Sequence, residues 1–253
     1  MLARKLALIL EYDGTGYGGF QLQRNARTIQ GEVEAALDRL LGSPVRIKGA
    51  SRTDAGVHAN GQVVAFPTGS ALTPNTFTKA LNYHLPSSIV VLSTHEVPVS
   101  FDPRRGALSR VYRYIVLNRK EPSPLEMGRA YYFNRELDIV AMAEGSHALV
   151  GNHDLAAFTS PALAGKKSTI RTVYRAEVVR VEDKVFFDIE AESFLPQQIR
   201  RTVGALLQVG LGKLGANDIH RMLADRTPGA AGPVVPPWGL YLTRVKYPDG
   251  NPS

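Results

Sequence analysis

The sequence predicts an α+β fold, because short apolar runs typical of strands are interleaved with longer segments whose apolar residues recur at helical spacing. The first half runs strand, helix, strand, strand, helix, strand, and the second half follows a similar style without a sequence repeat. With 253 residues and 44% hydrophobic content, the chain can bury a core in one large domain or two smaller ones. No apolar run reaches the ~18 residues of a membrane span, so no transmembrane helix is expected.

The first half has clear helix and strand signals. Its predicted strands are LALILEY, VRIKGA, QVVAF and IVVLSTHEV. One helix is predicted to start at Thr28 and to stop at Gly42-Ser43-Pro44, and a second has Thr73 as N-cap and Pro74 at its first position. This order of elements is that of the split βαβ arrangement of ferredoxin-like domains, with helices on one side of a sheet.

The second half is predicted to contain three helices, over residues 138–149, about 196–210 and 217–226. Its predicted strands are VYRYIVLN, RAYYF, the hairpin TVYRAEVVRVEDKVFFDIEAES and the final GLYLTRVKYP. The Pro/Gly-rich stretch 227–239 is predicted to be a loop over the surface. Because the composition turns basic near residue 103, the chain is divided into residues 1–103 and 104–253.

The net charge of +7 is concentrated rather than evenly spread. Residues 103–120, which we call the basic stripe, carry six basic side chains and no acidic one: Arg104, Arg105, Arg110, Arg113, Arg119 and Lys120. Tyr112 and Tyr114 lie among them. A genomic or thermal bias toward arginine would also raise the charge, but basic side chains interleaved with aromatics favour a nucleic-acid surface.

Several chemistries are disfavoured by the residues. The chain has no cysteine, which excludes disulfides and thiolate nucleophiles. Its six histidines lack the HxxxH or HExxH spacing of zinc sites, although a magnesium site of scattered carboxylates stays open. The glycine loop, residues 14–19, matches GxGxxG, but the next helix begins only near Thr28. A nucleotide-dependent oxidoreductase is therefore a weak alternative.

The stretch GASRTDAGVHA, residues 49–59, is the strongest candidate for chemistry. Arg52 and Asp54 point the same way on an extended chain, and a nearby guanidinium favours the charged carboxylate. Asp54, Ala55 and Gly56 are predicted to form a tight turn in which Gly56 takes a positive φ. Spacing alone leaves two interpretations open, a reactive carboxylate at a strand end and an Asx-turn aspartate that bonds its own backbone.

The same stretch resembles the catalytic motif of the TruA family of tRNA pseudouridine synthases. Further similar segments are EYDGTGYGGFQLQ, FDPRRGALSRVYRYIVLN, DLAAFTS, TIRTVYRAEV, FLPQQIRRTVGALLQVG and WGLYLTRVKYP. The chain departs from the family at Phe20, where tryptophan is common, and at Gln197-Gln198, where the family helix is more apolar. The resemblance implies isomerisation of uridine to pseudouridine at positions 38, 39 and 40 of the tRNA anticodon stem-loop, without cofactor or metal.

The resemblance also implies roles for individual residues. Asp54 would be the catalytic nucleophile, Arg52 would hold the flipped nucleotide or its phosphate, and Arg200 would pair with the catalytic aspartate. Tyr112 would pack against the target base and could assist proton removal. The tRNA backbone would be held by Arg104, Arg105, Arg110, the rest of the basic stripe and Lys166-Lys167.

Fold and assembly follow from the same resemblance. Two similar ferredoxin-like or RNP-like halves would share a mixed, mainly antiparallel sheet with helices on one face. Residues 1–103 would carry the catalytic aspartate loop, and residues 104–253 would complete the cleft and the tRNA-binding surface. A cytoplasmic homodimer is expected. The alternative function is a non-catalytic RNA-binding or chaperone module. For the reaction itself, three chemical routes stay open: attack at ribose C1′, addition to uracil C6, and a glycal intermediate.

Overall fold

The computed structural model describes residues 4–163, 168–248 and 252. The described chain is α+β, which confirms the predicted class. It forms two compact units, the first within Met1–Arg110 and Tyr241–Ser253 and the second Val111–Leu240. The units therefore divide after residue 110 rather than after residue 103, and the last strand lies with the first unit. The assignment of separate roles to the two halves remains a prediction.

Strands and helices are interleaved along the described chain. The strands are β1 (Arg4–Tyr12), β2 (Lys48–Gly49), β3 (His58–Thr68), β4 (Ile89–Val97), β5 (Ser109–Leu117), β6 (Tyr131–Tyr132), β7 (Gly151–Asp154), β8 (Ile170–Val181), β9 (Lys184–Ala191) and β10 (Leu240–Lys246). The α-helices are α1 (Ile29–Leu41), α2 (Pro74–His84), α3 (Ile139–His147), α4 (Gln198–Gly210) and α5 (Ala216–Asp225).

The first unit has the strand order β4-β1-β3-β10. The strand β1 pairs antiparallel with β3 and β4, and β10 runs parallel to β3 with Tyr241 opposite His58. The sheet is therefore mixed and mainly antiparallel. In β1, Leu6, Ala7 and Leu8 are all fully buried, as expected for a strand covered on both faces. The predicted strand VRIKGA is regular only at Lys48–Gly49, where β2 pairs with β3.

Both helices of the first unit begin where the sequence predicts. The Thr28 hydroxyl accepts a hydrogen bond from the backbone N–H of Gly31 at 3.2 Å, and Gly42 ends the helix with a φ of 68°. The Thr73 hydroxyl accepts one from Thr76 N–H at 3.2 Å. These caps satisfy backbone groups that have no partner within the helix, so local sequence is enough to set the helix ends.

The second unit has the strand order β5-β9-β8-β7, with β6 parallel to β5. The predicted hairpin is confirmed as β8 and β9, and Glu182 takes the left-handed conformation at its turn with a φ of 52°. Helix α3 packs on β8 and also contacts α4 and α5. Across the described residues, none of the helices combines the length and the apolar character that a membrane crossing would need.

The stretch 227–239 is less exposed than predicted. Val235 is buried, and its carbonyl accepts a hydrogen bond from Arg200 Nε at 2.7 Å. The carbonyls of Gly232 and Pro236 accept hydrogen bonds from Arg201 and Tyr114. Buried donors of large side chains need acceptors, and the backbone of this loop supplies them. The loop is therefore part of the packing of the second unit and does not simply run over its surface.

Candidate active-site turn and basic pocket

Asp54 lies at the start of a tight turn in the first unit. The backbone N–H of Val57 donates to the Asp54 carbonyl at 3.2 Å, and Gly56 has a φ of 76°. This confirms the predicted turn and its demand for glycine. The backbone carbonyl of Asp54 closes the turn, so the closure does not require the carboxylate. Asp54 is half-buried, whereas Arg52 is exposed.

The segment that leads into the turn is held by Gln62, a fully buried residue of β3. The Gln62 amide oxygen accepts from the backbone N–H of Ser51 at 3.2 Å, and its amide nitrogen donates to the Ser51 carbonyl at 2.8 Å. One side chain thereby replaces a pair of sheet hydrogen bonds at a point where the chain leaves the sheet. These two hydrogen bonds fix the position of the backbone at Ser51, three residues before Asp54.

Thr53, the neighbour of Asp54, is held by both its side chain and its backbone. Its hydroxyl hydrogen-bonds the Tyr12 hydroxyl at 2.8 Å, and its carbonyl accepts from Phe20 N–H at 3.1 Å. Thr53 itself is 7% exposed. A residue constrained through both parts leaves little freedom to the adjacent carboxylate, which favours a preorganised group.

The glycine loop lies against this turn. A Cβ added to Gly14 would lie 2.2 Å from the Val57 carbonyl oxygen, and one added to Gly19 would lie 2.8 Å from the Thr53 carbonyl oxygen. Both distances are shorter than any ordinary contact, so the backbones approach closely because these residues lack a side chain. As predicted, no helix opens within the loop, since α1 begins at Ile29. The glycines therefore allow this loop to approach the backbone of the Asp54 turn closely.

A pocket of about 390 Å³, which we call the basic pocket, lies in the same unit. Its charged lining residues are Lys48, Arg52, Asp102, Arg104 and Arg105, and the others include Phe20, Gln21, Gln30, Ile47 and Gly49. The pocket thus brings together Arg52, Arg104 and Arg105, three arginines that were predicted from the sequence to bind the substrate. Phe20, a departure from the family pattern, is 2% exposed and packs closely against Gly49.

Arg110, which the resemblance assigns to the tRNA backbone, is largely buried. It is 7% exposed, and its guanidinium donates to the carbonyls of Ala50, at 3.2 Å, and Arg104. A buried guanidinium that bonds backbone carbonyls holds protein segments together, and a contact of Arg110 with tRNA remains a prediction. Arg110 links the segment that precedes the Asp54 turn to the segment that carries Arg104.

The remaining stripe residues lie in the second unit and do not form one continuous free surface. The Arg113 guanidinium makes two hydrogen bonds of 2.7 Å to Asp188, and Arg119 bonds Asp183 at 2.8 Å. Lys120 is exposed. The predicted backbone contacts Lys166 and Lys167 lie outside the described residues. Charge counted along the sequence therefore overstates the positive surface of this segment.

Tyr112 and Arg200 both belong to the second unit. Tyr112 is 4% exposed and packs edge-to-face on Phe194 with ring centroids 5.1 Å apart. Arg200 lies in the first turn of α4, where its Nε donates to the Val235 carbonyl. Tyr114 is fully buried, and burial raises the pKa of its hydroxyl far above the ordinary value. Tyr114 therefore stays protonated and acts as a hydrogen-bond donor to Pro236.

Sequence reasoning missed the residues that hold the turn. Gln62 lies inside a strand and carried no motif signal, although a glutamine within the apolar run QVVAF is unusual enough to suggest a specific partner. Tyr12 was noticed only as part of the family-like segment EYDGTGYGGFQLQ, with no role assigned to it. Gly14 and Gly19 were noticed as part of a nucleotide-loop pattern and of the family-like segment EYDGTGYGGFQLQ, but their packing against the Asp54 turn was not predicted. Among the described residues, no group of three or more histidine or acidic side chains is placed to hold a metal ion.

Comparison with known proteins identifies the family of this chain. A family model described as tRNA pseudouridine synthase matches residues 8–104 and 146–248. The chain therefore belongs to the tRNA pseudouridine synthase family, whose members are isomerases that act on tRNA uridines.

Similar proteins extend over nearly the whole chain. The tRNA pseudouridine synthase A of Geotalea daltonii is 41% identical over 244 residues, which covers 96% of this chain and 100% of the relative. The protein of the same name from Acetivibrio thermocellus is 40% identical over 244 residues, with the same coverage. That from Rhodopseudomonas palustris is 42% identical over 241 residues, covering 95% of this chain and 98% of the relative.

Proposed function

We propose that this chain isomerises uridines at positions 38, 39 and 40 of the tRNA anticodon stem-loop to pseudouridine, with Asp54 as the catalytic nucleophile. The observation that carries the proposal is the Asp54 turn. It presents a half-buried carboxylate on a backbone held by Gln62, by Tyr12 and by the close approach of Gly19. Such fixed geometry is what a group that must meet one sugar or base atom requires.

The reaction requires few protein groups other than the Asp54 carboxylate and a surface that binds RNA. The bond between ribose C1′ and N1 breaks, the uracil turns, and C1′ bonds to C5. The C5 proton is lost and N1 gains one, so the product is an isomer and no electrons are exchanged. All three routes, attack at C1′, addition to C6 and a glycal intermediate, need an ionised carboxylate close to the sugar and base.

Further residues are assigned roles in the same proposal. Arg52, exposed two residues before Asp54, binds the flipped nucleotide or its phosphate, and Tyr112 packs against the target base. Arg200 supports the catalytic carboxylate. Its anchoring through Nε to the Val235 carbonyl is consistent with a side chain that must hold one orientation. Arg200→Lys, which cannot reproduce that planar donor geometry, should lower the rate at saturating tRNA.

The proposal is tested by mapping pseudouridine in an unmodified tRNA transcript, using carbodiimide-dependent primer-extension stops. The native protein should give stops at positions 38 to 40, and Asp54→Asn should give none. Asp38→Asn is the matched control, because Asp38 is an exposed aspartate of α1. Equal stops with Asp54→Asn would overturn the nucleophile assignment. A native protein that binds tRNA but gives no stops would support the non-catalytic RNA-binding module.

We further propose that the chain works as a homodimer in the cytoplasm, as the family resemblance implies. Light scattering coupled to size exclusion should then report twice the chain mass of 27.6 kDa. A mass that stays at the single-chain value across the working concentration range would contradict the dimer.

A further inference from the structure

We propose that His58 is a positioning residue for the reaction, and that its neutral imidazole holds the glycine loop against the Asp54 turn. The inference rests on the proposed function, because it concerns the placement of the proposed nucleophile. His58 is the first residue of β3 and follows Asp54 by four positions. It is 3% exposed, so the polar atoms of its ring need partners within the protein.

The contact that carries the inference joins the ring to the loop. The backbone N–H of Gly14 donates a hydrogen bond to His58 Nδ1 at 3.1 Å, in buried surroundings. Gly14 is also the residue whose added Cβ would lie 2.2 Å from the Val57 carbonyl oxygen. Val57 in turn closes the Asp54 turn, because its N–H donates to the Asp54 carbonyl. The bond between Gly14 and His58, which we call the clamp, therefore holds the loop at the point where it packs on the turn.

Stacking fixes the plane of the His58 ring. Tyr241 of β10 lies opposite His58 in the parallel strand pair, and the two rings stack with centroids 4.7 Å apart and planes 21° apart. Rotation of the imidazole about its χ2 angle would replace Nδ1 by a carbon and break the clamp. The stack opposes that rotation, so Nδ1 stays directed at the loop.

The protonation state of the ring decides which partner Nδ1 takes. An oxygen of the Asp13 carboxylate also lies 3.1 Å from Nδ1. One ring nitrogen cannot accept from Gly14 and donate to Asp13 at the same time, so the two contacts require different protonation states. Asp13 already accepts from the backbone N–H of Thr15 at 2.9 Å, and its side chain is 45% exposed. The neutral ring with its proton on Nε2 therefore leaves both Gly14 N–H and Asp13 with a partner.

Protonation of His58 at Nδ1 would break the clamp. Two titratable groups of the first unit face the ring, Asp13 on the glycine loop and Tyr241 on β10. A proton on Nδ1 makes this atom a donor toward the Asp13 carboxylate, and the buried N–H of Gly14 loses its acceptor. The loop is then free to separate from the turn, and Asp54 loses the support that it receives through Val57.

The first test compares three substitutions at His58, by tritium release from uridine C5 of labelled tRNA. His58→Asn keeps an acceptor in the place of Nδ1, because Oδ1 of asparagine is the same number of bonds from the backbone. It should keep kcat within about threefold of native. His58→Leu has no acceptor, and the acceptor of His58→Gln lies one bond too far out. Each of these two should lower kcat about tenfold and leave KM within about twofold.

The control for these substitutions is His95→Leu, which removes an exposed histidine of β4 in the same unit and should leave kcat unchanged. Equal kcat for His58→Asn and His58→Leu would overturn the proposal, since the two variants lose the same stack on Tyr241 and differ in the acceptor. A tenfold rise in KM with unchanged kcat in His58→Leu would also overturn it, because the role would then lie in binding tRNA.

The second test observes the clamp without turnover. Long-range proton–nitrogen NMR spectra of histidine-labelled protein at about pH 8 should show a neutral His58 with its proton on Nε2, and the signal is assigned by its loss in His58→Asn. Hydrogen exchange at the Gly14 amide should be slow in native protein and in His58→Asn, and about tenfold faster in His58→Leu. A native ring protonated on Nδ1, or unchanged Gly14 exchange in His58→Leu, would overturn the clamp.

The pH dependence of the rate supplies a readout that packing alone does not move. The same spectra give the pH at which native His58 takes up a proton, and kcat of the native protein should fall with that midpoint. His58→Asn carries no titrating ring and should show no such fall. A native kcat that stays constant while His58 is protonated, or an identical fall in His58→Asn, would overturn the inference.

Pseudouridine mapping separates this inference from the proposed function. A native protein that forms no pseudouridine would overturn the proposed function, and with it any role of His58 in the rate, although the clamp would still be seen in the spectra and in hydrogen exchange. A native protein that forms pseudouridine, together with full kcat in His58→Leu, would overturn the positioning role of His58 alone.

Discussion

Replacing Gly19 with alanine should misplace the Asp54 turn. Gly19 has a φ of 101°, and an added Cβ would lie 2.8 Å from the Thr53 carbonyl oxygen and 3.2 Å from the backbone nitrogen of Ala55. Ordinary contact begins at 3.4 Å, so the carbonyl must move by the difference, 0.6 Å, unless the loop moves instead. Either movement disturbs the backbone that flanks the proposed nucleophile.

The substitution should lower both the stability of the protein and its catalytic rate. The left-handed backbone costs an alanine about 1–2 kcal/mol. For a chain of this length that corresponds to a fall in melting temperature of roughly 2–8 °C. The displacement acts on the rate: because a 1 Å error in a reacting group can cost about a hundredfold, a shift of 0.6 Å should lower kcat roughly tenfold or more.

Gly16→Ala is the matched control for this prediction. Gly16 lies in the same loop with a φ of 78°, but nothing lies within 4 Å of its added Cβ. It should therefore destabilise the protein by a similar amount and leave kcat within about twofold of native, because it adds strain without contact. The assay follows tritium release from uridine C5 at saturating tRNA, beside thermal melts of both variants. Equal kcat for the two variants would refute the claim that Gly19 positions the turn.

Three further predictions concern stability and positioning. Gln62→Met should cost about 1–3 kcal/mol for each backbone group of Ser51 left unpaired, and should lower kcat more than it raises KM; denaturant melts and steady-state kinetics check both parts. Gly204→Ala should destabilise by about 1–3 kcal/mol, because its Cβ would lie 2.1 Å from a loop carbonyl oxygen. Gly145→Ala, whose added Cβ would have its nearest contacts at 3.4 Å, should leave the stability of the protein unchanged or raise it by up to about 1 kcal/mol. Equal effects of Gly204→Ala and Gly145→Ala on stability would contradict this reasoning. Backbone N–H donors lower the pKa of Asp102 below its ordinary 3.8, so its stabilisation is complete above that pH and is lost as the pH falls through the lowered value. The melting-temperature advantage of native protein over Asp102→Asn should hold at neutral pH and shrink below about pH 4, and an advantage that persists in acid would contradict it.

Features set by neighbouring residues could be predicted from the sequence. The starts of α1 and α2 depend on Thr28, Thr73 and Pro74, and each acts on backbone groups within three positions of itself. The turn at Asp54 depends on Gly56 for the same reason. The α+β class followed from the period of the apolar residues, and the family from ordered motifs that span most of the chain.

Contacts between residues that are distant in the sequence could not be predicted from it. Arg110 belongs to a basic run in the sequence, yet its guanidinium bonds the carbonyl of Ala50, sixty residues earlier. The loop 227–239 has a surface composition, yet its carbonyls accept hydrogen bonds from α4. Neither outcome is encoded by spacing, because a buried donor takes whichever acceptor the tertiary structure brings near it.

The residues around GASRTDAGVHA show the same contrast between features set by neighbouring residues and contacts made only in the folded chain. Its composition and order were sufficient to single out Asp54 and to relate the chain to a family, since both depend on which residues are adjacent. Only the folded chain shows that Gln62 holds Ser51, that Gly19 packs against Thr53, and that Arg52 shares a pocket with Arg105. These contacts join residues that are 11 to 53 positions apart in the sequence, and their partners are selected by close packing and by the need to satisfy buried polar groups.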